Sequence, residues 1–591
     1  MARAHLFGTP VSPGIAIGTI RFLHVDTAPE MRRILPSEVE AEKARLLEAM
    51  EAVREDLKTA MGKVPADMQE YREIIAAQVE MTRDPKLVNS TCQMVERELV
   101  GAAWALDNVV NQLVEVFRSI DDPYLKDRAQ DVRVVGMRIL NRLSGGSRTE
   151  ASATDLILAA EDVSPADIMD LDVHSIRGIV TREGGITSHT AILARGMHIP
   201  ALVCVTNLLV AARDGDTVII DGLGGNVLIS PNEEDTQDYS RREKAYAAWQ
   251  EATRDTARWP ADTKDALRVG VLANVEHAHE AAELSKVGAD GIGLYRTEFA
   301  FLKETLPSEE ELFEEYATVV RNAPGQVVIR TLDIGGDKLT RAQEALREAN
   351  PALGLRGVRF TLHNQDIFKS QLRALLRAAA VSPEKGTLRL LLPMISMVEE
   401  VRAVKRLLQE VDQELSMRGI AHAKNIPLGV MIETPAAVFI TDQLARECDF
   451  FSIGTNDLIH YLMAIDRNNM RVAYLAEAMH PAVIRSLKRI IDTGHREGLS
   501  VSACGELSSD PFGVVLMLGM GIDALSVSPP FLPGIKHLIR QLDAQDCTEL
   551  ATQVLLSSDI QACKHLVNEM LQKVLGHELA FLTSSVMGTR A

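Results

Sequence analysis

His189 lies in the segment Gly184-Gly185-Ile186-Thr187-Ser188-His189-Thr190-Ala191-Ile192-Leu193-Ala194-Arg195, whose residue types suit phosphoryl chemistry. A β-branched run (Ile179, Val180, Thr181) reads as a strand that stops at two glycines. A helix is predicted to begin at about Thr187 or Ser188, both good N-terminal residues. The imidazole therefore sits where free backbone N–H groups and the positive end of a helix dipole converge, which is where a phosphate is held. Taken alone, such a histidine is more readily a residue that merely helps cap a helix. The double glycine shifts the balance, because it lets a phosphate or another molecule's backbone approach closely.

A second set of reactive residue types follows strand-like runs in the C-terminal half. These are Arg296-Thr297-Glu298, then Arg330, Asp333 and Gly335-Gly336-Asp337-Lys338, then Arg356, Glu433-Thr434-Pro435, Gly454-Thr455-Asn456-Asp457, Asp466-Arg467 and Cys504-Gly505-Glu506. Arginine forks bind carboxylates and phosphates bidentately. Arg296, Arg330, Arg356 and Arg467 are the candidates, with Lys338 a further cation. Each arginine singly reads as a surface ion-pair partner, but several at strand ends beside carboxylates fit an anionic ligand. Glu433 and Asp457 match the one or two protein carboxylates that Mg²⁺ takes; the alternative is that they merely balance the arginines. Asn456 is placed to hydrogen-bond the ligand. Cys504 is a candidate general acid, although a cysteine at a strand end is more often buried and inert.

These residues need elements to position them. Residues 14–23 read as a strand. From about Pro36 to Leu143 the pattern is helical: Val39, Leu46, Met50, Val53 and Leu57 fall on one face, as do Leu106, Val109, Leu113 and Val116, and Val132, Val135, Ile139 and Leu143. Pro85, Gly101 and Pro123 punctuate a bundle of four or more helices. Short strands resume at Leu156–Ala159, Gly178–Thr181, Ala201–Val205, Thr217–Asp221 and Asn226–Ile229, which with the first strand predict one α/β unit carrying His189. Residues 232–264 read as a linker helix with a hinge near Trp259-Pro260.

Buried-type strands then recur at Val269–Val275, Gly291–Tyr295, Val327–Thr331, Leu388–Pro393, Leu428–Ile432, Phe450–Ile453, Val501–Cys504 and Ala524–Val527, with helical patterns in most intervals. Eight strand–helix units over roughly 260 residues predict a (β/α)8 TIM-type barrel. In that fold functional residues follow the C-terminal ends of strands, and the reactive residues above do so.

The composition is that of a globular α/β protein: of 591 residues, 46% are hydrophobic and 25% charged. A formal charge of −19 argues against a nucleic-acid surface. No apolar run reaches the roughly 18 residues of a membrane span, and the N-terminus has no signal-peptide core. The six cysteines are scattered without a CxxC pair, which suits reduced thiols and a cytoplasmic location.

The His189 segment resembles the phosphohistidine segment of the phosphoenolpyruvate-utilising enzymes and, among them, enzyme I of the bacterial sugar phosphotransferase system. The resemblance starts at Ser12-Pro13-Gly14-Ile15-Ala16-Ile17-Gly18 and continues in the family's order to about Pro530. Several motifs in one order are far more specific than any one of them. The resemblance implies a split phosphohistidine domain (1–27 and 146–231) interrupted by a helical subdomain (28–145). A linker (232–264), a phosphoenolpyruvate-binding barrel (265–575) and a C-terminal tail (576–591) would follow.

It implies phosphoenolpyruvate as donor, Mg²⁺ as cofactor and His189 as the residue phosphorylated. The acceptor would be a small histidine-containing phosphocarrier protein docked on the helical subdomain. Cys504 would protonate the pyruvate enolate, and a homodimer would form through the barrel. Leu355 departs from the tryptophan the family often has, and the Lys338 loop lacks the usual acidic, proline-containing continuation. Three alternatives follow from the same superfamily: a nitrogen-branch enzyme I, a phosphoenolpyruvate synthase or pyruvate phosphate dikinase, and a non-catalytic relative. No large ATP-binding domain or sensory domain precedes Ser12, which weighs against the first two.

Overall fold

The structure is a computed structural model; it describes residues 3–23, 29–63, 69–119, 123–144, 155–161, 163, 175–185, 188–197, 199–301, 305–334, 350–381, 388–466, 469 and 471–587. Met1–Tyr246 make up the body of one compact unit and Ala247–Val586 form a second.

The first unit is built on an eight-stranded sheet. Its strands are β1 (Ala4–Phe7), β2 (Thr9–Ser12), β3 (Ile15–Phe22), β4 (Leu156–Ala160), β5 (Ile176–Thr181), β6 (Ala201–Val203), β7 (Thr217–Asp221) and β8 (Asn226–Ile229), in the order β1-β8-β7-β3-β4-β5-β6-β2. β3 to β6 run parallel, while β7, β8 and the two edge strands pair antiparallel. The twofold alternation of strand side chains gives the sheet two apolar faces. Ile157, Ala159, Val180 and Ile220 pack on one, and Leu158, Ala160, Ile179 and Ala201 join the helical core on the other. Strands β1 and β2 have no counterpart in the sequence reading. Each is four residues long, and Pro10 in β2 is tolerated because the strand lies at an edge.

Between β3 and β4 the described residues form five α-helices outside the sheet, Val39–Lys63, Gln69–Met81, Pro85–Glu98, Ala102–Ser119 and Pro123–Leu143. The predicted punctuation acts as expected. Asp84 caps the third helix by accepting from the Lys86 and Leu87 N–H groups ahead of Pro85. Leu46, Leu57, Leu106, Val135 and Ile139 are fully buried. One predicted contact is corrected: Val116 is exposed and Leu113 only partly buried. The buried stripe runs instead through Leu106, Val110 and Val114, spaced by four, so the face drifts away from Val116.

The second unit is a closed barrel of eight parallel strands. They are β9 (Gly270–Val275), β10 (Ile292–Tyr295), β11 (Val327–Arg330), β12 (Leu388–Leu392), β13 (Leu428–Ile432), β14 (Phe450–Ile453), β15 (Ser500–Ala503) and β16 (Ala524–Val527). An aspartate just before three of them secures the start of the neighbouring strand. Asp290 accepts from the Val271 N–H at 2.8 Å, Asp449 from Leu428 at 2.7 Å and Asp523 from Val501 at 2.7 Å. The linker region carries one helix, Glu233–Asp255, and residues 256–264 beyond it are not helical. The segment read as a tail carries a last helix, Glu578–Met587, because Leu579, Phe581 and Leu582 have a core to enter. Phe581 lies 5.9 Å from the Trp249 ring, centroid to centroid.

Candidate active site

The His189 segment is a strand–turn–helix. After β5 the backbone turns at Gly184, whose φ of +117° is a conformation that side-chain-bearing residues rarely adopt. Ser188 then caps the helix His189–Gly196, its Oγ accepting from the Ala191 N–H at 3.3 Å. His189 is the first helical residue, at the electropositive end; its side chain lies outside the described residues. Thr190, fully buried, accepts from the Val163 N–H at 2.9 Å and donates to the Val163 carbonyl at 3.2 Å. These bonds hold the helix start against the loop after β4.

In the barrel, a cleft of about 250 Å³ opens at the C-terminal ends of the strands. Arg296, Arg330, Arg356, Glu433, Asn456, Asp457 and Cys504 all line it, together with Glu298 and Met431. Seven of the ten candidate residues thus converge. Lys338 and Arg467 lie outside the described residues, and His189 belongs to the first unit.

The three guanidiniums are held by carboxylates. Arg296 Nη1 pairs with Glu276 Oε1 at 2.5 Å and is the most exposed of the three. Arg330 pairs with Glu298 Oε1 at 2.5 Å and Asp333 Oδ2 at 2.9 Å. Arg356 faces Asp333 with Nε and Nη2, both at 3.0 Å, and reaches Asp457 Oδ2 with Nη2 at 2.7 Å. Tyr461 buttresses it: the phenol oxygen accepts from Arg356 Nη1 at 3.1 Å and donates to the Ala352 carbonyl at 2.5 Å. Asp333 therefore bridges two arginines, a role sequence reading did not give it. Glu276 and Tyr461 were missed outright, because their partners come from other loops.

Charge competition sets the protonation states. Burial would lower the Arg330 pKa, but Glu298 and Asp333 outweigh it and raise it. Burial would raise that of Asp333, but Arg330 and Arg356 hold it below the usual carboxylate range. Glu433 is the exception: burial, then Asp457 and Asp333, push it up to about 8 despite the arginines. Its Oε1 accepts from the Met394 N–H at 2.6 Å. Fully ionised, Glu298, Asp333, Glu433 and Asp457 would outnumber the three arginines, and the raised Glu433 pKa marks that excess of negative charge. A cation would relieve that excess, so the donor set fits a divalent metal held by Glu433 and Asp457. Among the described residues no group of three metal-ligating side chains occurs; Mg²⁺ usually takes one or two protein carboxylates and fills its shell with water and substrate oxygens.

Asn456 is locked in place by Glu506, donating to its Oε1 at 3.0 Å and accepting from its N–H at 2.9 Å. Burial pushes the Cys504 thiol up to about 11, and Ser452 Oγ donates to its sulfur at 3.3 Å. Fully buried Gln371 ties the strand ends together: Leu332 N–H donates to its Oε1 at 3.1 Å, and its Nε2 donates to Thr297 Oγ1 at 3.3 Å.

Three family models cover the chain: the N-terminal segment of PEP-utilising enzymes over residues 7–128, their mobile domain over 153–225 and their PEP-binding domain over 250–544. A phosphoenolpyruvate-protein phosphotransferase of Bacillus sp. (strain S) is 38% identical over 559 residues, covering 93% of this chain and 95% of the relative. Those of Listeria innocua and Bacillus subtilis (strain 168) are each 36% identical, each covering 95% of this chain and 99% of the relative. The chain belongs to the phosphoenolpyruvate-protein phosphotransferase family. It is an enzyme, and the dikinase, nitrogen-branch and non-catalytic alternatives are not favoured. No described helix is long and apolar enough to cross a membrane.

Proposed function

We propose that this enzyme moves the phosphoryl group of phosphoenolpyruvate onto His189 and then onto a histidine of a small phosphocarrier protein, releasing pyruvate. This is the first step of the sugar phosphotransferase system. The observation that carries the reading is the convergence of Arg296, Arg330, Arg356, Glu433 and Asp457 above Cys504 in one cleft at the barrel's strand ends.

Phosphoenolpyruvate carries a carboxylate and a phosphate on a three-carbon skeleton. The three arginines, with Arg467 and Lys338 joining them, bind these groups, and Asn456 hydrogen-bonds the ligand. Mg²⁺ held by Glu433 and Asp457 would offset charge on the phosphate. A neutral His189 imidazole attacks phosphorus; the N–P bond forms as the bridging P–O bond breaks, and the electron pair passes to the enolate oxygen. Positioning and charge neutralisation account for most of such a transfer. The Cys504 thiol, protonated at neutral pH, gives its proton to the methylene carbon, and Ser452 stabilises the thiolate until solvent reprotonates it.

The helix N-terminus at Ser188 favours a neutral imidazole before attack and the phosphohistidine anion afterwards. The helical subdomain docks the carrier, the barrel joins two chains in a homodimer, and the enzyme works in the cytoplasm. The test is to supply labelled phosphoenolpyruvate, Mg²⁺ and candidate carrier proteins. Label reaching one carrier with stoichiometric pyruvate, both lost in His189→Ala, is expected; ATP formation from AMP and phosphate would overturn the reading.

A further inference from the structure

The opposite, N-terminal mouth of the barrel holds a second cavity, of about 420 Å³, which the phosphoryl transfer does not use. Its wall is largely apolar, formed by Leu272, Val328, Phe450, Val501 and Ala524. Arg389 enters this wall from β12. Its guanidinium lies 4.1 Å from the centroid of the Phe450 ring and donates to Gln326 Oε1 at 3.4 Å. The platform depends on Gly429, beside Phe450 on the neighbouring strand, where any Cβ would overlap the Phe450 ring.

The charges around the cavity are unevenly committed. Asp290 accepts from Lys536 Nζ at 2.8 Å and from the Val271 N–H at 2.8 Å. Asp523 faces His495 Nε2 at 3.0 Å and accepts from the Val501 N–H at 2.7 Å. Among the described residues no carboxylate forms an ion pair with Arg389. Burial holds its pKa below the ordinary arginine value. Asp449 acts on it only through space, and a half-buried cation without a directly paired carboxylate is costly, so an anion that replaces lost hydration recovers part of that cost.

The geometry points to a binding site for a small organic monocarboxylate, with its carboxylate on the Arg389 fork and its apolar body against Leu272, Val328 and Phe450. A guanidinium fork matches a carboxylate in two parallel hydrogen bonds. The apolar wall favours a hydrocarbon or aromatic body, and Asp290 and Asp523 at the mouth disfavour multiply charged phosphates. The site is separate from the catalytic cleft. Leu294, Met431 and Cys504 face that cleft while Val328 and Phe450 face the lower cavity, all in one buried cluster.

Benzoate serves as the probe, with benzamide as its neutral analogue and inorganic phosphate as the alternative anion, titrated into the full chain by calorimetry and ligand-detected NMR. Saturable benzoate binding is expected for the unaltered enzyme. It should weaken at least tenfold in Arg389→Gln and less in Arg389→Lys, with benzamide silent and pyruvate formation unchanged in both variants. Arg389→Lys carries the comparison if Arg389→Gln does not fold. Equal affinity in the variants, displacement of benzoate by phosphoenolpyruvate, or no saturable binding would overturn the site. Phosphate binding as tightly as benzoate would overturn the ligand class.

Discussion

Replacing Cys504 by alanine should separate proton delivery from phosphoryl transfer. With the thiol pushed up to about 11, it is protonated at pH 7 and has a proton to give. A positioned general acid contributes about 10²- to 10⁴-fold in rate, which corresponds to about 3–5 kcal/mol of barrel-site transition-state stabilisation. The substitution leaves Ser452 without its sulfur acceptor, a cost of about 1–2 kcal/mol that a large barrel tolerates. Cys504→Ala should therefore fold, keep its KM for phosphoenolpyruvate within about twofold because the arginines are untouched, and lose at least about a hundredfold in kcat for pyruvate formation. Steady-state pyruvate release with carrier present measures both constants. A folded variant whose kcat falls by no more than about threefold would refute the acid role.

Arg356→Lys removes the fork that engages Asp333 and Asp457 together, so the KM for phosphoenolpyruvate should rise about tenfold or more in the same assay. Ser188→Ala deletes the cap on the His189 helix and should destabilise the first unit by about 1 kcal/mol in denaturant titrations. Glu309 links two barrel helices through Arg373 Nε at 2.7 Å and Arg377 Nη1 at 2.9 Å. Burial would raise its pKa, but these arginines win and hold it low. Its stabilising effect is therefore complete above the unfolded carboxylate pKa and is lost as pH falls through the lower folded value. Glu309→Gln should cost about 1 kcal/mol near pH 7, and urea midpoints of the two proteins should converge on acidification below about pH 4.5.

The barrel was legible because its strands are short, buried, largely apolar runs at regular intervals. Leu428–Ile432, Phe450–Ile453 and Ala524–Val527 begin and end where the residue types imply. The rule that functional residues follow strand ends then brought Arg296, Glu433, Asp457 and Cys504 to one cleft. What could not be read is the pairing among them. Arg356 and Tyr461 stand 105 positions apart, and no periodicity announces that they meet. The arginine types suggested a cationic mouth, whereas Asp333, Glu298 and Glu276 neutralise much of it. Strands β1 and β2 escaped notice because neither is a buried apolar run: Ala4–Phe7 is only half-buried to exposed, and Thr9–Ser12 contains Pro10 and two hydroxyl residues.

In the proposed reaction one imidazole, that of His189, carries the phosphoryl group between donor and acceptor. Incubating the enzyme with phosphoenolpyruvate and Mg²⁺, without any carrier, and mapping the phosphorylated peptide under alkaline conditions tests it directly. One acid-labile phosphate per chain on His189, formed with one equivalent of pyruvate and reversed by added pyruvate, is the predicted result. Pyruvate released at full rate with no phosphate on His189, or label on any other residue, would contradict it.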